Sequence, residues 1–344
     1  MKKQSKKFML AGVLLLAIAG LLALTSCKND SVPEPPSEET WLQKLEQELE
    51  GKTEGTITAP SYLTKGGLVD IAKLLHGLPS GVKVDLDLSQ ATGLTYIAAG
   101  TFIGCSTLQS VELPSSVTEI GSYAFSNCKK LTKVTIPEGV TTIGAYAFQD
   151  CTGLTEVAIP KGVTLIGSGA FYSCTDLREV TILEGVTTIG SGAFNSCKKL
   201  TKVTIPKGVT TIEGKAFAYT GLTKVDIPDG VTTIGSGAFM NCENLTDVTI
   251  PTSVTEIDPY AFSITGLTKV DIPDGVTTIG SGAFMNCDDL NQVTFENKDG
   301  WCTKTDLYDE AESPDPINVG TPSTNATKLK DDAGQWSNKY LIRK

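Results

Sequence analysis

The chain predicts a β-rich solenoid of about nine stacked rungs, each 22–23 residues long. Two periodic residues and one duplication carry that prediction. Phenylalanine returns at Phe102, Phe125, Phe148, Phe171, Phe194, Phe217, Phe239, Phe262 and Phe284. Leucine keeps the same beat at Leu108, Leu131, Leu154, Leu177, Leu200, Leu222, Leu245, Leu267 and Leu290. Residues 220–242 and 265–287 are identical, so the array has grown by copying two-rung modules of 45 residues. Self-similarity at such a period marks units that cannot bury their own apolar face and must stack to do so.

In the rung that begins at Leu131, Val134 and Ile136 alternate at a period of two, which fits a short strand with Thr135 facing outward. Pro137-Glu138-Gly139 is turn chemistry: proline presets φ, and glycine is expected to accept positive φ. Val140 and Ile143 then face inward, and Thr141 and Thr142 face water. Ala147-Phe148 is expected to form a tight helical turn that plugs the coil. Cys151 follows three residues later, as Cys105, Cys128, Cys174, Cys197, Cys242 and Cys287 do in their rungs. A ladder of parallel side chains aims its Cβ vectors the wrong way for disulfides, so these are read as a column of buried thiols.

The departures are informative. Leu183 stands where other rungs have the turn proline, and Ser116 and Ser253 where they have the turn glycine. The rungs around Phe217 and Phe262 are one residue short, lack the cysteine and end in Thr220-Gly221 and Thr265-Gly266. Deletion and cysteine loss coincide, which implies two interchangeable corner types.

The pattern L-x-x-V-x-I-P-x-G-V-x-x-I-x-x-x-A-F-x-x-C resembles the Treponema-type leucine-rich repeat of the BspA-like surface protein family. The resemblance covers 94–295. It implies a curved, right-handed leucine-rich-repeat solenoid with strands on its concave side, and a role in attachment at bacterial cell surfaces.

Ahead of the rungs, Met1–Lys7 carries four lysines and Phe8–Leu24 is a run of 17 uncharged residues, the layout of an export signal. Leu24-Thr25-Ser26-Cys27 resembles the lipobox of bacterial lipoproteins, which implies that residues 1–26 are removed and that Cys27 is acylated. Buried acyl methylenes contribute about 0.8 kcal/mol each to membrane anchoring. Residues 27–60 are expected to be a lipid-anchored tether, with a short helix between Thr40 and Glu50. Residues 61–93 are expected to cap the first rung with a helix over Leu68–Leu78. After Phe295 the period stops, and 296–344 is expected to be a C-terminal cap with a short strand at Tyr340–Ile342.

Loss of the signal leaves 25 basic against 39 acidic residues, a net charge of −14. That disfavours nucleic acid and anionic lipid as partners. Catalytic chemistry has little to work with. His76 is the one histidine, and no nucleophile signature accompanies it. The repeated Gly-Ser-Gly-Ala-Phe lacks the lysine of a phosphate loop. No cysteine pair has the close spacing of a zinc site. The chain is therefore read as a non-enzymatic monomer without cofactor or metal.

The better candidates are charged strand positions facing away from the core: Lys133, Glu156, Arg178, Glu179, Lys202, Lys224, Asp226, Asp247, Lys269 and Asp271. Mixed charge on a long face suits an extended protein held by many weak contacts. This strand face has no aromatics on which sugars or bases could stack. The expected function is a lipid-anchored protein of the outer membrane or cell surface that adheres, through the concave repeat face, to a host matrix protein or to a surface protein of another bacterium. The alternative is a periplasm-facing structural or assembly scaffold.

Overall fold

The computed structural model describes residues 38–297, 299, 301–304, 315–316 and 340–343. The export signal, Cys27 and Trp336 lie outside the described residues.

Each rung carries two strands, not one. The expected strands form one column, with members such as Lys133–Thr135, Glu156–Ile159, Glu179–Ile182 and Lys202–Thr204. Neighbours that pair do so in parallel and in register, as Glu156, Glu179 and Lys202 do. A second column comes from two-residue strands such as Thr142–Ile143, Leu165–Ile166 and Thr188–Ile189. These short strands run without a break through a twelve-stranded sheet that also takes in the strands after residue 300. Two residues are too few to show alternation in a sequence, and the rungs on either side create the ladder.

The threonine before each short strand supports the second column. Thr141, Thr164 and Thr187 each donate a hydroxyl to the carbonyl of the threonine one rung back, at 3.2–3.3 Å.

The corner holding the phenylalanine is not the expected helical turn. Tyr146 and Asp150 on either side of Phe148 have φ of 57° and 55°, which interrupts any helix. The backbone amides alternate between two duties. Ala147, Gln149 and Cys151 donate to Gly144, Tyr146 and Phe148 within the rung. Phe148 and Asp150 donate to Ala170 and Tyr172 of the next rung. Buried peptide groups are thereby paired without regular secondary structure.

The turn glycine also works differently from the expectation. Positive φ occurs there only at Gly185 (134°) and Gly230 (124°). At Gly275 the need is space, because a Cβ would come within 1.9 Å of the Thr252 carbonyl oxygen one rung back. Where serine replaces the glycine, its hydroxyl uses the neighbouring rung: Ser116 donates to Leu94 O at 2.6 Å and Ser253 to Val231 O at 2.9 Å.

Inside the coil all nine rung phenylalanines are buried and stacked, with centroids 5.1–5.5 Å apart and planes within 11°. The seven rung cysteines are free and buried beside them. Each thiol from Cys128 to Cys197 donates to the phenylalanine carbonyl one rung back, as Cys174 does to Phe148 O at 3.1 Å. In the short rungs Thr220 and Thr265 instead bond their own Phe217 and Phe262 carbonyls, and each lies 3.2 Å from the thiol of the following rung.

Burial pushes the Cys197 thiol up to about 12 and that of Cys242 to about 11. An unfolded thiol titrates near ~8.5. Below that value both states keep the proton and the stabilisation is complete. Above it the unfolded chain gives up protons that the folded chain retains, so stability is lost as pH rises from about 9 towards 12. The denaturant midpoint should fall across this window, and less so in a Cys174→Ala/Cys197→Ala variant. At neutral pH the thiols should resist iodoacetamide until the chain is unfolded. Rapid native labelling of Cys128, Cys151, Cys174 or Cys197, or disulfide-linked peptides among them, would contradict the ladder.

The N-terminal segment requires a correction. Residues 38–60 were expected to belong to the tether. The expected short helix is present as α1 (Glu38–Leu49), but strand β1 (Glu54–Thr58) follows it, and Leu45, Leu49, Ile57 and Ala59 are buried. Strand β1 pairs in parallel over five residues with β2 (Lys83–Asp87), which pairs in turn with Leu108–Glu112. The first column therefore extends two strands beyond the periodic array. Helix α2 (Lys65–Gly77) connects β1 to β2, and Thr64 opens it by accepting from Gly67 N at 3.3 Å. Thr107 of the first rung donates to Leu75 O at 2.8 Å, which ties α2 to the solenoid.

At the other end Tyr340–Arg343 pairs antiparallel with both Thr278–Ile279 and Trp301–Lys304. Trp301 is buried, meets the Phe295 ring edge-on at 5.1 Å and donates its indole N–H to Asn297 O. The antiparallel turn closes the edge that the last short strand would otherwise expose.

Candidate functional site: the exposed face of the long strands

The alternation that buries Val134, Val157, Val180 and Val203 leaves the residue before each of them in water. Stacking aligns those positions from rung to rung. Lys133, Glu156, Glu179, Lys202, Lys224, Asp247 and Lys269 accordingly form one column along the solenoid, which continues through Ser110 to Asp85 at one end and to Gln292 at the other. Asp226 and Asp271 sit two residues further along their strands, in the adjacent exposed column. Arg178 precedes Glu179 and stands at the strand's start, level with the Thr155 and Thr201 of its neighbours. All ten predicted residues are thus exposed, nine of them on one strand face and Arg178 at its edge.

The five cations and five anions among these ten residues cancel, in a chain whose formal net charge is −10. Stacking also chooses the pairs. Lys224 Nζ lies 3.2 Å from Asp247 and 3.4 Å from Asp226, and these two carboxylates hold its ammonium above the ordinary lysine range. Lys269 meets Asp271 at 2.8 Å, and Lys202 meets Glu179 at 3.8 Å. Such exposed pairs are screened by solvent and add little to stability. Among the described residues Lys133, Glu156 and Arg178 make no ion pair. The face is therefore neutralised internally towards its C-terminal end and carries free charges towards its N-terminal end.

No aromatic side chain stands at these strand positions, as expected. Aromatics gather instead at the corner after the short strand, which the sequence reading did not single out. Tyr123 and Tyr146 stack at 5.1 Å with their planes 13° apart, and Tyr123 is 41% exposed. Both residues, with Tyr260, occupy the left-handed position that Gly169, Gly192, Gly237 and Gly282 fill in other rungs. The Tyr146 ring lies over Gly169, where a Cβ would come within 2.3 Å of it. The signal available was a tyrosine in the glycine slot of Gly-Ser-Gly-Ala-Phe.

His76 is held in place by backbone. Its Nδ1 lies 2.6 Å from Ala72 O and its Nε2 2.9 Å from Ile103 O. Among the described residues no cluster of histidine, cysteine and acidic side chains has the arrangement of a metal site.

Comparison with known proteins places this repeat. The BspA type leucine rich repeat region matches residues 87–201 and 187–300, in six copies. Among solved structures, a leucine-rich cell surface protein from Faecalibacterium prausnitzii A2-165 is 37% identical, with 59% of this chain and 65% of that one covered and a TM-score of 0.47. A T. pallidum leucine-rich repeat protein is 29% identical over 62% of this chain and 79% of its own, with a TM-score of 0.38. A leucine-rich repeat protein from Bacteroides ovatus is 25% identical over 58% and 76%, with a TM-score of 0.31. This chain thus spans a little under two thirds of the Faecalibacterium protein's length. No curated protein matches the chain.

Proposed function

The chain belongs to the BspA-type leucine-rich repeat family, and we propose that it is a surface-anchored lipoprotein that binds a protein partner through the exposed face of its long strands, adhering to a host matrix protein or to another bacterium. One observation carries the binding part of this reading. Nine charged side chains of both signs stand on the exposed positions of stacked strands, with Arg178 at the start of one of them, where successive rungs can grip successive residues of an extended partner. Such a surface supplies many modest contacts rather than one enclosed pocket. The family match indicates no catalytic chemistry.

The anchor rests on Leu24-Thr25-Ser26-Cys27 after an apolar run. Among the described residues no helix is long and apolar enough to cross a membrane.

Site-specific photo-crosslinking on intact cells tests the reading. A photoreactive phenylalanine at Lys202 or Thr204, on the long-strand face, should yield a crosslinked protein. The same group at Thr210, in the exposed threonine ladder, should not. The mass of the recovered chain should show an acylated Cys27 at its N-terminus. Crosslinks from Thr210 alone would move the binding surface, and a chain that retains Met1 would remove the anchor.

A further inference from the structure

An open cavity of about 420 Å³ lies at the N-terminal end of the long-strand face, lined by Lys83, Gln109, Lys129, Lys130, Thr132 and Gly153. Three lysines line it in an acidic chain. Among the described residues none of the three makes an ion pair. Lys130 Nζ reaches only the Ser80 carbonyl, at 3.4 Å. Glu54 is in register with Lys83 on the neighbouring strand, but it makes no ion pair with it and does not line the cavity.

The solenoid contains its own control for this arrangement. Cys-Lys-Lys-Leu occurs twice, at 128–131 and 197–200. In the second copy Lys199 is neutralised at 2.6 Å by Asp176, which holds the same place one rung back. In the first copy that place belongs to Thr107, which is buried and spends its hydroxyl on Leu75 O. One rung forward, the place belongs to Gly153, as it does to Gly221 in the second copy, and both glycines lie close against the lysine backbone of the rung behind. The same corner thus has one of its two lysines paired in one rung and neither paired in the other.

We propose that this cavity seats acidic side chains of the partner, so that the segment lying along the long-strand face is an acidic peptide; this rests on the protein-binding reading given above. Gln109 and Thr132 join the cavity to that face, because the residues after them, Ser110 and Lys133, belong to its exposed column. Lysine ammonium groups are mobile point charges that match carboxylates spaced along a flexible chain. No aromatic residue lines the cavity, so a sugar or base has no ring to stack on.

The test uses a fluorescein-labelled hexa-aspartate peptide and the full-length protein, with anisotropy followed as salt is raised. The wild-type protein should bind the peptide, and binding should weaken steeply with salt, since exposed charges are screened within about 8–10 Å at physiological ionic strength. Lys129→Glu/Lys130→Glu should weaken it by about tenfold or more, through loss of local steering charge. Lys198→Glu/Lys199→Glu makes the same change in net charge at the sister corner and should leave affinity within about twofold, because neither residue lines the cavity. Retained resistance of the buried thiols to alkylation shows that each variant is folded. Three results would overturn the proposal: no binding of hexa-aspartate by the wild-type protein, equal loss in both variants, or a heparin-derived hexasaccharide binding at Lys129 and Lys130 where the peptide does not. Failure here with crosslinking from Lys202 intact removes the cavity's role and leaves the binding face standing. Loss of that crosslinking while hexa-aspartate still binds does the reverse.

Discussion

Phe171→Ala should destabilise the solenoid by about 3–5 kcal/mol. The ring is fully buried at the middle of the array, stacked on Phe148 at 5.1 Å and on Phe194 at 5.3 Å. Truncation removes apolar area and opens a cavity that cannot collapse, because the rings on both sides are held by the backbone ladders of their own rungs. The Phe171 carbonyl also accepts from the Cys174 amide and the Cys197 thiol, so a backbone shift towards the cavity would strain two neighbouring bonds. Offset-stacked rings contribute about 0.5–1.5 kcal/mol beyond their area, and Phe171 has one on each face. Equilibrium denaturant unfolding checks this. The transition should be followed by two probes, because a repeat array can lose cooperativity between its halves when an interface at its centre weakens. A loss below about 1 kcal/mol would place the ring near the surface.

The repeat made most of this interior readable before any coordinates. A phenylalanine at a constant interval has to stack on its own copies, and the buried column follows from the spacing alone. The long strands were readable for the same reason, since Leu131, Val134 and Ile136 mark both the strand and its inner side. The short strands were not, because Thr142–Ile143 becomes a strand only when Glu119–Ile120 and Leu165–Ile166 lie beside it. Nor was the packing of α1 and β1, whose buried Leu45, Leu49 and Ile57 lie among polar residues outside the periodic region. At the face, exposure of each charged residue followed from alternation. The pairing did not, because Lys224 and Asp247 are 23 positions apart and meet only through register. The basic cavity was hidden for a related reason: it needs Lys83 from β2, Lys130 from one rung and Gly153 from the next.

Deleting residues 222–266 should leave a folded protein that binds its partner more weakly. The excision removes one short and one long rung and joins Gly221 to Leu267. That junction reproduces the Gly266–Leu267 link already present, so the corner chemistry is unchanged. Phe217 would then stack on Phe284, a role now filled by Phe262 at 5.5 Å. Thr220 would meet Cys287 as Thr265 does at 3.2 Å. Both terminal elements keep their contacts, since neither touches the excised rungs: the α2 tie lies at Thr107, and Tyr340–Arg343 pairs with Thr278–Ile279. In a quasi-one-dimensional array the stability lost is the sum of the lost rung and interface terms, so the shortened array should unfold at lower denaturant with a shallower slope. Binding should weaken without vanishing, because the cut removes Lys224, Asp226 and Asp247 from the charged face and spares Lys133, Glu156, Arg178, Glu179, Lys202, Lys269 and Asp271. It also leaves the Lys83–Lys129–Lys130 cavity untouched, so affinity for hexa-aspartate should be unchanged while affinity for the full partner falls. Complete loss of partner binding by a folded deletion would locate recognition in the excised rungs alone. Full retention would locate it at the ends, with the Trp301 region the first place to mutate. Partial loss is the outcome that a contact spread along the register-aligned face requires, since each rung then adds a similar small share to a chain of weak interactions.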